Sequence, residues 1–174
     1  MFRMDNSSVR ISERKCSMII QRIDPACREL ADELIISRWF SLKMAVHGKE
    51  YDLHWADGFI ALLDDAAAGV VTYHIMENSM EILSLDSLRE NRGTGTALLN
   101  AAIREARERN CSRIMLITTN DNTNALRFYQ KRGFDMAKIY RNALNEARKL
   151  KPSIPDIGMD GIPLKHEIEL EMYL

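Results

Sequence analysis

The sequence predicts an α/β (α+β) domain with a mixed, mainly antiparallel twisted sheet flanked by helices. Two observations support this fold class. Three apolar strands joined by short turns occupy residues 59–87, and short turns connect antiparallel neighbours. The third strand leads through residues 90–97, named here the glycine loop, into a long helix and a further strand. This order predicts a central strand–loop–helix–strand crossover in which the two strands are parallel.

Size and composition indicate one globular domain. The 174 residues suit a single core, with residues 1–16 expected as a flexible polar arm and 17–174 as the domain. A net charge of -1 disfavours a nucleic-acid partner. With no apolar run of membrane-spanning length and no signal-peptide core, we expect a cytoplasmic protein without a membrane partner. Cys16, Cys27 and Cys111 lack metal-ligand spacing, so we expect reduced thiols and no metal.

The first half of the chain is expected to hold a strand, a helix and the meander. Residues 17–23 are rich in β-branched side chains, which favours a strand. Asp24-Pro25 is a typical helix start, and apolar residues at helical spacing extend this helix to about Val46. Residues 48–57 are mixed and suggest a loop or a short helix. The meander strands are predicted at 59–63, 70–76 and 80–87.

The second half alternates helices and strands. The helix after the glycine loop is expected to end at Asn110, where Asn suits a C-cap. An ordered loop or flap is expected at 152–164, which is rich in proline and glycine. The remaining predicted elements are a strand at 113–119, a helix at 125–132, a strand at 134–139, a solvated basic helix at 141–151 and a half-exposed strand at 167–173.

The glycine loop has the features of a phosphate site. It precedes a helix N-terminus, whose free N–H groups and dipole attract anions. Gly93 and Gly95 let the backbone approach an anion closely. A nucleotide P-loop would need a lysine that is absent here, and a Rossmann site would need a small residue where Leu98 stands. A tight turn that binds nothing is the competing interpretation.

Two motifs resemble those of the GNAT N-acetyltransferase family. The family's first motif is Gln or Arg, two residues, Gly, any residue, then Gly or Ala, between a strand and a long helix. Gly93, Thr94 and Gly95 stand in this register. The second motif is Asn, two residues, Ala, three residues, Tyr, and then Gly-Phe four residues beyond the Tyr. Its counterparts here are Asn122, Ala125, Tyr129 and Gly133-Phe134.

The resemblance covers residues 17–140, and the stretch 117–134 also resembles one bacterial subgroup of the family. It implies acetyl-CoA as co-substrate and direct transfer of the acetyl group, in a ternary complex, to a primary amine of a small molecule or peptide. It also implies that the strands at 81–87 and 113–119 separate at their ends, so that the pantetheine arm pairs with the first of them.

The resemblance further implies the residues that contact coenzyme A. These are Leu85, Asp86, Ser87, Asn91, Arg92, Gly93, Thr94, Gly95, Thr96, Asn122 and Tyr129. One position departs from the family pattern, because Glu90 stands where the family has Gln or Arg. We expect Glu90 to face solvent, with Arg92 and the backbone amides of 91–96 holding the diphosphate.

Two side chains are candidates for catalysis. In the family the tyrosine that corresponds to Tyr129 is often the general acid, and a pKa near 10 roughly matches a departing thiolate. A core aromatic is the alternative interpretation. Glu81 is the candidate base, with a solvated hairpin residue as the alternative, and Asp86 is either a base or a structural cap. His74 fits a structural role better than a catalytic one.

The acceptor is the least defined part of the prediction. We expect its cleft between residues 39–55, Tyr73 and the tail after Ile139, while Glu167, Glu169 and Glu171 are expected on a solvated strand face. A homodimer is left open. Two other functions compete with acetyl transfer: a non-catalytic acyl-CoA-binding module of the same fold, and a nicotinamide-dependent oxidoreductase.

Overall fold

The computed structural model describes residues 17–46, 49–88 and 92–174. These residues form a seven-stranded sheet, a separate two-stranded hairpin and four α-helices. The strands are β1 (Met18–Arg22), β2 (Lys43–Val46), β3 (Lys49–Asp52), β4 (Asp57–Leu63), β5 (Ala66–Met76), β6 (Ser79–Ser87), β7 (Arg113–Thr119), β8 (Asp135–Tyr140) and β9 (Glu167–Tyr173). The helices are α1 (Arg28–Trp39), α2 (Thr94–Glu108), α3 (Thr123–Gln130) and α4 (Ala143–Leu150).

The large sheet has the order β1-β4-β5-β6-β7-β9-β8. Strands β4, β5 and β6 form the predicted antiparallel meander, and β6 and β7 are parallel across the α2 crossover. The other neighbouring pairs are antiparallel. The predicted mixed, mainly antiparallel sheet is therefore confirmed.

Two hydrophobic clusters lie on opposite faces of this sheet. Helix α2 places Leu98, Ala102 and Ala106 at helical spacing in the first cluster, which also contains Val71. Helix α1 packs in the second cluster, which contains Val70. Because successive strand residues point to opposite faces, the two helices cover opposite sides of β5.

Helix α2 approaches the sheet closely at Gly69. A Cβ at this position would lie 2.9 Å from the Thr94 side chain and 3.0 Å from the Leu98 side chain. The glycine therefore permits the first turn of α2 to rest directly on β5. This contact fixes the height of the helix N-terminus above the sheet.

The prediction that the first helix continues to about Val46 is wrong. Helix α1 ends at Trp39, and Phe40 adopts a left-handed conformation with φ 60° while its N–H bonds to the Ile36 carbonyl. The chain then forms the β2–β3 hairpin, where a loop or short helix was expected over 48–57. Leu42 and Met44 pack on the second cluster at a spacing of two residues, which suits a strand rather than a helix.

The expectation of a solvated glutamate face on β9 is also wrong. Strand β9 lies between β7 and β8, so it is an interior strand. Glu167 and Glu169 are buried. The Tyr140 hydroxyl donates to Glu169, and the Arg113 guanidinium donates to Glu171 at 2.8 Å.

The loop at 152–164 is ordered, as predicted, and polar contacts hold it against the domain. Arg148 of α4, expected on a solvated face, instead donates to three backbone carbonyls around this loop, those of Ile154, Pro155 and Leu164. Asn120 accepts hydrogen bonds from two backbone N–H groups that follow the loop, and Asp121 accepts one from Met159. The polar turn after β7 is thereby a docking point for the tail.

Within the described ranges, no helix is long and apolar enough to cross a membrane. Cys27 and Cys111 are buried free thiols. Cys16 lies outside the described residues.

A buried carboxylate joins the first strand to α2. Both oxygens of Glu105 accept hydrogen bonds from Arg22 of β1, and Arg109 donates a third at 3.0 Å. The Arg22 guanidinium lowers the pKa of Glu105, and Arg109 adds to this effect, against the opposing effect of burial. The ionised carboxylate is therefore the form that stabilises the fold.

We expect Glu105→Gln to lower the free energy of unfolding at pH 7 by about 1–3 kcal/mol, since hydrogen bonds between charged groups are lost. The folded state has the lower pKa, so this stabilisation is complete above the unfolded-state pKa of about 4.3 and is lost progressively as the pH falls from there through the lower folded-state pKa. Urea unfolding at pH 7 and pH 3 measures both effects. Glu108→Gln, at an exposed position of the same helix, is the control.

Candidate active site

Strands β6 and β7 separate along their length. Their paired residues run from Ser79–Arg113 to Ile82–Leu116, four pairs in all. Beyond them, in the described part of the chain, no strand lies between 83–87 of β6 and 117–119 of β7. From Leu83 to Asp86, the edge of β6 that faces β7 is therefore not paired with it, which is the separation that the family resemblance implies.

A β-bulge marks the point where the separation begins. Thr72 of β5 pairs with Ser84, but the next residue, Tyr73, pairs with Ile82, so Leu83 is an extra residue in β6. Bulges bend the strand that contains them and increase its twist. This bulge lies two residues before Leu85, one of the residues that the family resemblance implies as a contact of coenzyme A.

Helix α2 begins within the glycine loop, directly after a glycine in the left-handed backbone conformation. Gly93 is the N-cap of α2 with φ 82°, and its carbonyl accepts a hydrogen bond from Ala97 at 2.9 Å. Arg92 is exposed, as a phosphate-binding side chain would be. Thr94 is buried on the sheet, so only its backbone could serve an anion. Glu90 and Asn91 lie outside the described residues.

Arg132 supplies a positive charge beside this helix start. Its guanidinium donates to the Thr96 hydroxyl at 2.6 Å and to the Phe128 carbonyl at 2.7 Å. It also lies 3.7 Å from the centre of the Phe128 ring, a cation–π contact. Sequence reasoning did not select Arg132, because its contact with Thr96 joins residues that are far apart in the chain.

Helix α3 carries the second motif. The Asn122 side chain accepts a hydrogen bond from the Ala125 N–H at 3.1 Å, so its oxygen caps α3 and its amide nitrogen is left for another partner. Tyr129 is buried, with edge contacts to the rings of Phe128 and Phe134. Burial raises the pKa of Tyr129 well above the ordinary value near 10, and the nearby Asp86 charge adds to the effect. The pKa of Tyr129 therefore lies above the value near 10 that was expected from the sequence.

Asp86 links the separated end of β6 to helix α1. Its carboxylate accepts a hydrogen bond from the Trp39 indole at 2.6 Å and lies 3.7 Å from the Arg38 guanidinium. Burial raises the pKa of Asp86, whereas these two partners lower it. Asp86 was considered either as a base or as a structural cap, and these contacts fit a structural role.

Glu81 is buried in the paired part of β6, and one of its oxygens accepts a hydrogen bond from the Tyr51 hydroxyl at 2.9 Å. It lines a cavity of about 530 Å³. The cavity is lined by His74, Met76, Glu77, Ser79, Glu81, Arg113 and Met115. His74 is exposed at this cavity rather than packed in the core.

Tyr73, expected at the acceptor cleft, is instead fully buried on the α2 face.

In the part of the chain that the structure describes, no three His, Cys, Asp or Glu side chains are arranged to hold a metal ion.

The separated strands, the helix start and the tyrosine on α3 together define a class of acyl-transferring domain. The chain matches the Acetyltransferase (GNAT) family over residues 25–134. It belongs to this family and is an acyltransferase. This confirms the family resemblance drawn from the two motifs.

Two proteins of Bacillus subtilis (strain 168) are similar to this chain over most of its length, and their names state no activity. The Bacillus subtilis (strain 168) protein YxbD is 43% identical over 152 residues, which are 85% of this chain and 96% of that protein. YdhI of the same organism is 40% identical over 152 residues, 87% of this chain and 95% of that protein. Both names come with the description "uncharacterized".

Solved structures share the fold. A GNAT family acetyltransferase from Elizabethkingia anophelis with acetyl-CoA bound has a TM-score of 0.64 at 23% identity, covering 90% of this chain and 98% of that one. A Bacillus subtilis acetyltransferase in complex with CoA has a TM-score of 0.66 at 19% identity, covering 91% and 99%.

The two glycines of the loop should respond differently to alanine. Gly93→Ala forces a Cβ into a left-handed conformation and should lower the free energy of unfolding by about 1–2 kcal/mol. Gly95→Ala is the matched comparison, because its Cβ would meet Leu85 and Phe128 at an ordinary 3.5 Å. It should leave stability unchanged or slightly raised. Equal losses in thermal unfolding would contradict this difference.

Proposed function

We propose that this chain transfers the acetyl group of acetyl-CoA to a primary amine of a small molecule or peptide, by direct attack in a ternary complex. The observation that carries the proposal is the separation of β6 and β7 beyond Ile82, one residue after Glu81. The N-terminus of α2 lies against Leu85 at this separation, and Tyr129 lies near Asp86. A thioester held between the separated strands would lie between a proton donor and a proton acceptor. We propose the cytoplasm as the place of this reaction.

Coenzyme A would bind through groups already placed around the opening. The N-terminus of α2 offers backbone N–H groups to the diphosphate, with Arg92 and Arg132 as nearby positive charges. The edge of β6 at Leu85 and Asp86, which lies beyond the pairing with β7, can pair with the pantetheine amides as an added strand would. The amide nitrogen of Asn122 can donate to the same arm. The CoA complexes known for proteins of this fold support this assignment.

In the proposed reaction the amine nitrogen forms a bond to the acetyl carbon while the bond between that carbon and sulfur breaks. Glu81 acts as the base, and its second oxygen takes the proton that the incoming ammonium must lose. Tyr129 acts as the acid and protonates the departing thiolate. The phenolate that results recovers a proton from the nitrogen, which loses its second proton as the amide forms. A raised pKa keeps this hydroxyl protonated across the neutral range, although it makes Tyr129 a weaker acid than a solvated tyrosine.

The charge of the cavity favours a cationic acceptor. Glu81 and Glu77 line it, while the one cation among its lining residues, Arg113, is already paired with Glu171. Ammonium groups are attracted by such a carboxylate surface and would reach Glu81 through the cavity. This agrees with an amine substrate that arrives protonated.

Acetyl-CoA turnover with a panel of small amines, polyamines and peptides tests the proposal, and acetylated product from at least one amine is expected. Tight CoA binding without transfer to any amine would favour a binding module instead. Thermal-shift measurements with CoA and NAD side by side address the oxidoreductase alternative. Stabilisation by NAD and not by CoA would exclude the proposed cofactor.

Tyr129→Phe should lower kcat by about 10²-fold, in the range typical of a lost general acid, with little change in the affinity for acetyl-CoA. The phenylalanine keeps the ring contacts with Phe128 and Phe134, so stability should be retained. Steady-state kinetics and isothermal titration measure the two effects. Tyr173→Phe, at an exposed tyrosine of β9, is the control, and an unchanged kcat in Tyr129→Phe would reject the acid role.

Glu81→Gln should lower kcat at neutral pH by about 10²-fold, because the amide cannot accept the amine proton. Part of the loss should be recovered at high pH, where more of the amine is already neutral. Glu77→Gln removes a carboxylate from the same cavity and serves as the matched control. If both variants lose the same activity, the charge of the cavity rather than a base at Glu81 would explain the result.

A further inference from the structure

The β2–β3 hairpin brings one polar group to the candidate base from outside the main sheet. Tyr51 of β3 pairs with Met44 of β2, and both side chains are partly buried against the second hydrophobic cluster, in which α1 packs. The Tyr51 hydroxyl donates to Glu81 at 2.9 Å across thirty residues of chain. The packing of the ring therefore fixes where this hydroxyl lies relative to β6.

One hydroxyl is enough to select the orientation of a carboxylate. A glutamate has two equivalent oxygens, and its terminal torsion is broad, so a solvated carboxylate turns freely. In Glu81, which lines the cavity, the hydroxyl holds Oε2 and leaves Oε1 as the second acceptor of the carboxylate. A charge-assisted hydrogen bond of this kind is stronger than one between neutral groups.

The groups around Glu81 do not offer an equivalent contact. His74 is its cross-strand partner on β5 and lies exposed, with its ring centre 6.2 Å from that of Tyr51. Arg113 of β7 lines the same cavity, but its guanidinium is engaged by Glu171 at 2.8 Å. Tyr51 is thus the hydrogen-bond donor found on Glu81 among the described residues.

We propose that Tyr51 is the positioning residue of the acetyl transfer, and that its hydroxyl holds the Glu81 carboxylate so that Oε1 faces the incoming amine. This inference rests on the proposed function, since it gives Glu81 its orientation as the base. It also assigns a role to the β2–β3 hairpin, which carries this hydroxyl from outside the large sheet. Tyr51 itself exchanges no proton with the substrate.

Burial of the Tyr51 side chain, with the Glu81 contact, raises the pKa of Tyr51 to about 12. The hydroxyl therefore remains a donor throughout the neutral and mildly alkaline range. Its contact with Glu81 is available wherever the enzyme would be assayed.

The test is a double-mutant cycle on kcat. Tyr51→Phe keeps the packed ring and removes the hydroxyl, so it should lower kcat about 10-fold without changing KM for acetyl-CoA or the melting temperature. In a Glu81→Gln background the same substitution should have no further effect, because the group that it positions has lost its function. Glu50→Gln, which breaks the exposed Lys43–Glu50 pair of the same hairpin, is the control for a general disturbance.

Three results would overturn the inference: unchanged kcat in Tyr51→Phe, an equal loss of kcat in the Glu81→Gln background, or an equal loss in Glu50→Gln. A second measurement does not depend on turnover. With tyrosines labelled at Cζ, the resonance that disappears in Tyr51→Phe should shift in Glu81→Gln, and an unmoved resonance would show that the contact is absent in solution. A wild-type chain that acetylates no amine would instead reject the proposed function, whatever this resonance does.

Discussion

The candidate site depends on the early separation of β6 and β7. A sheet that continued to pair would satisfy its own backbone groups and leave no edge between these strands. Each strand is held from its own side: Asp86 anchors the end of β6 to Trp39 of α1, and Asn120 ties the end of β7 to the tail. The bulge at Leu83 then turns β6 at the point where pairing stops. The proposed binding of coenzyme A and the proposed proton transfer by Tyr129 would use the space that these contacts keep open.

Sequence patterns predicted the elements whose signals are local. The bounds of β7 and β9 agree with prediction because an apolar β-branched run and a strict alternation mark them. The β2–β3 hairpin could not be predicted in this way, since Leu42 fits the helical spacing of the apolar residues that precede it. What ended α1 was the left-handed Phe40, and a phenylalanine carries no sequence signal for that conformation.

The two motifs predicted much of the candidate site, but they did not predict its supporting contacts. Gly93 and Tyr129 stand in recognisable spacings, whereas Arg132 and Tyr51 act on partners more than twenty-five residues away. The burial of Glu167 and Glu169 likewise depends on β8 lying beyond β9, which alternation within β9 does not reveal. Long-range pairing, rather than propensity, decides these features.

The order of strands also has a consequence for how the domain is made. Among the described residues β8 pairs with β9 alone, although a helix and a long loop separate them in the chain. During synthesis β8 therefore emerges before the strand that joins it to the sheet. Until β9 arrives, β7 presents an unpaired edge with an apolar strand face, which is the kind of surface that favours aggregation. Formation of this sheet during synthesis would accordingly wait for β9, which enters between β7 and β8.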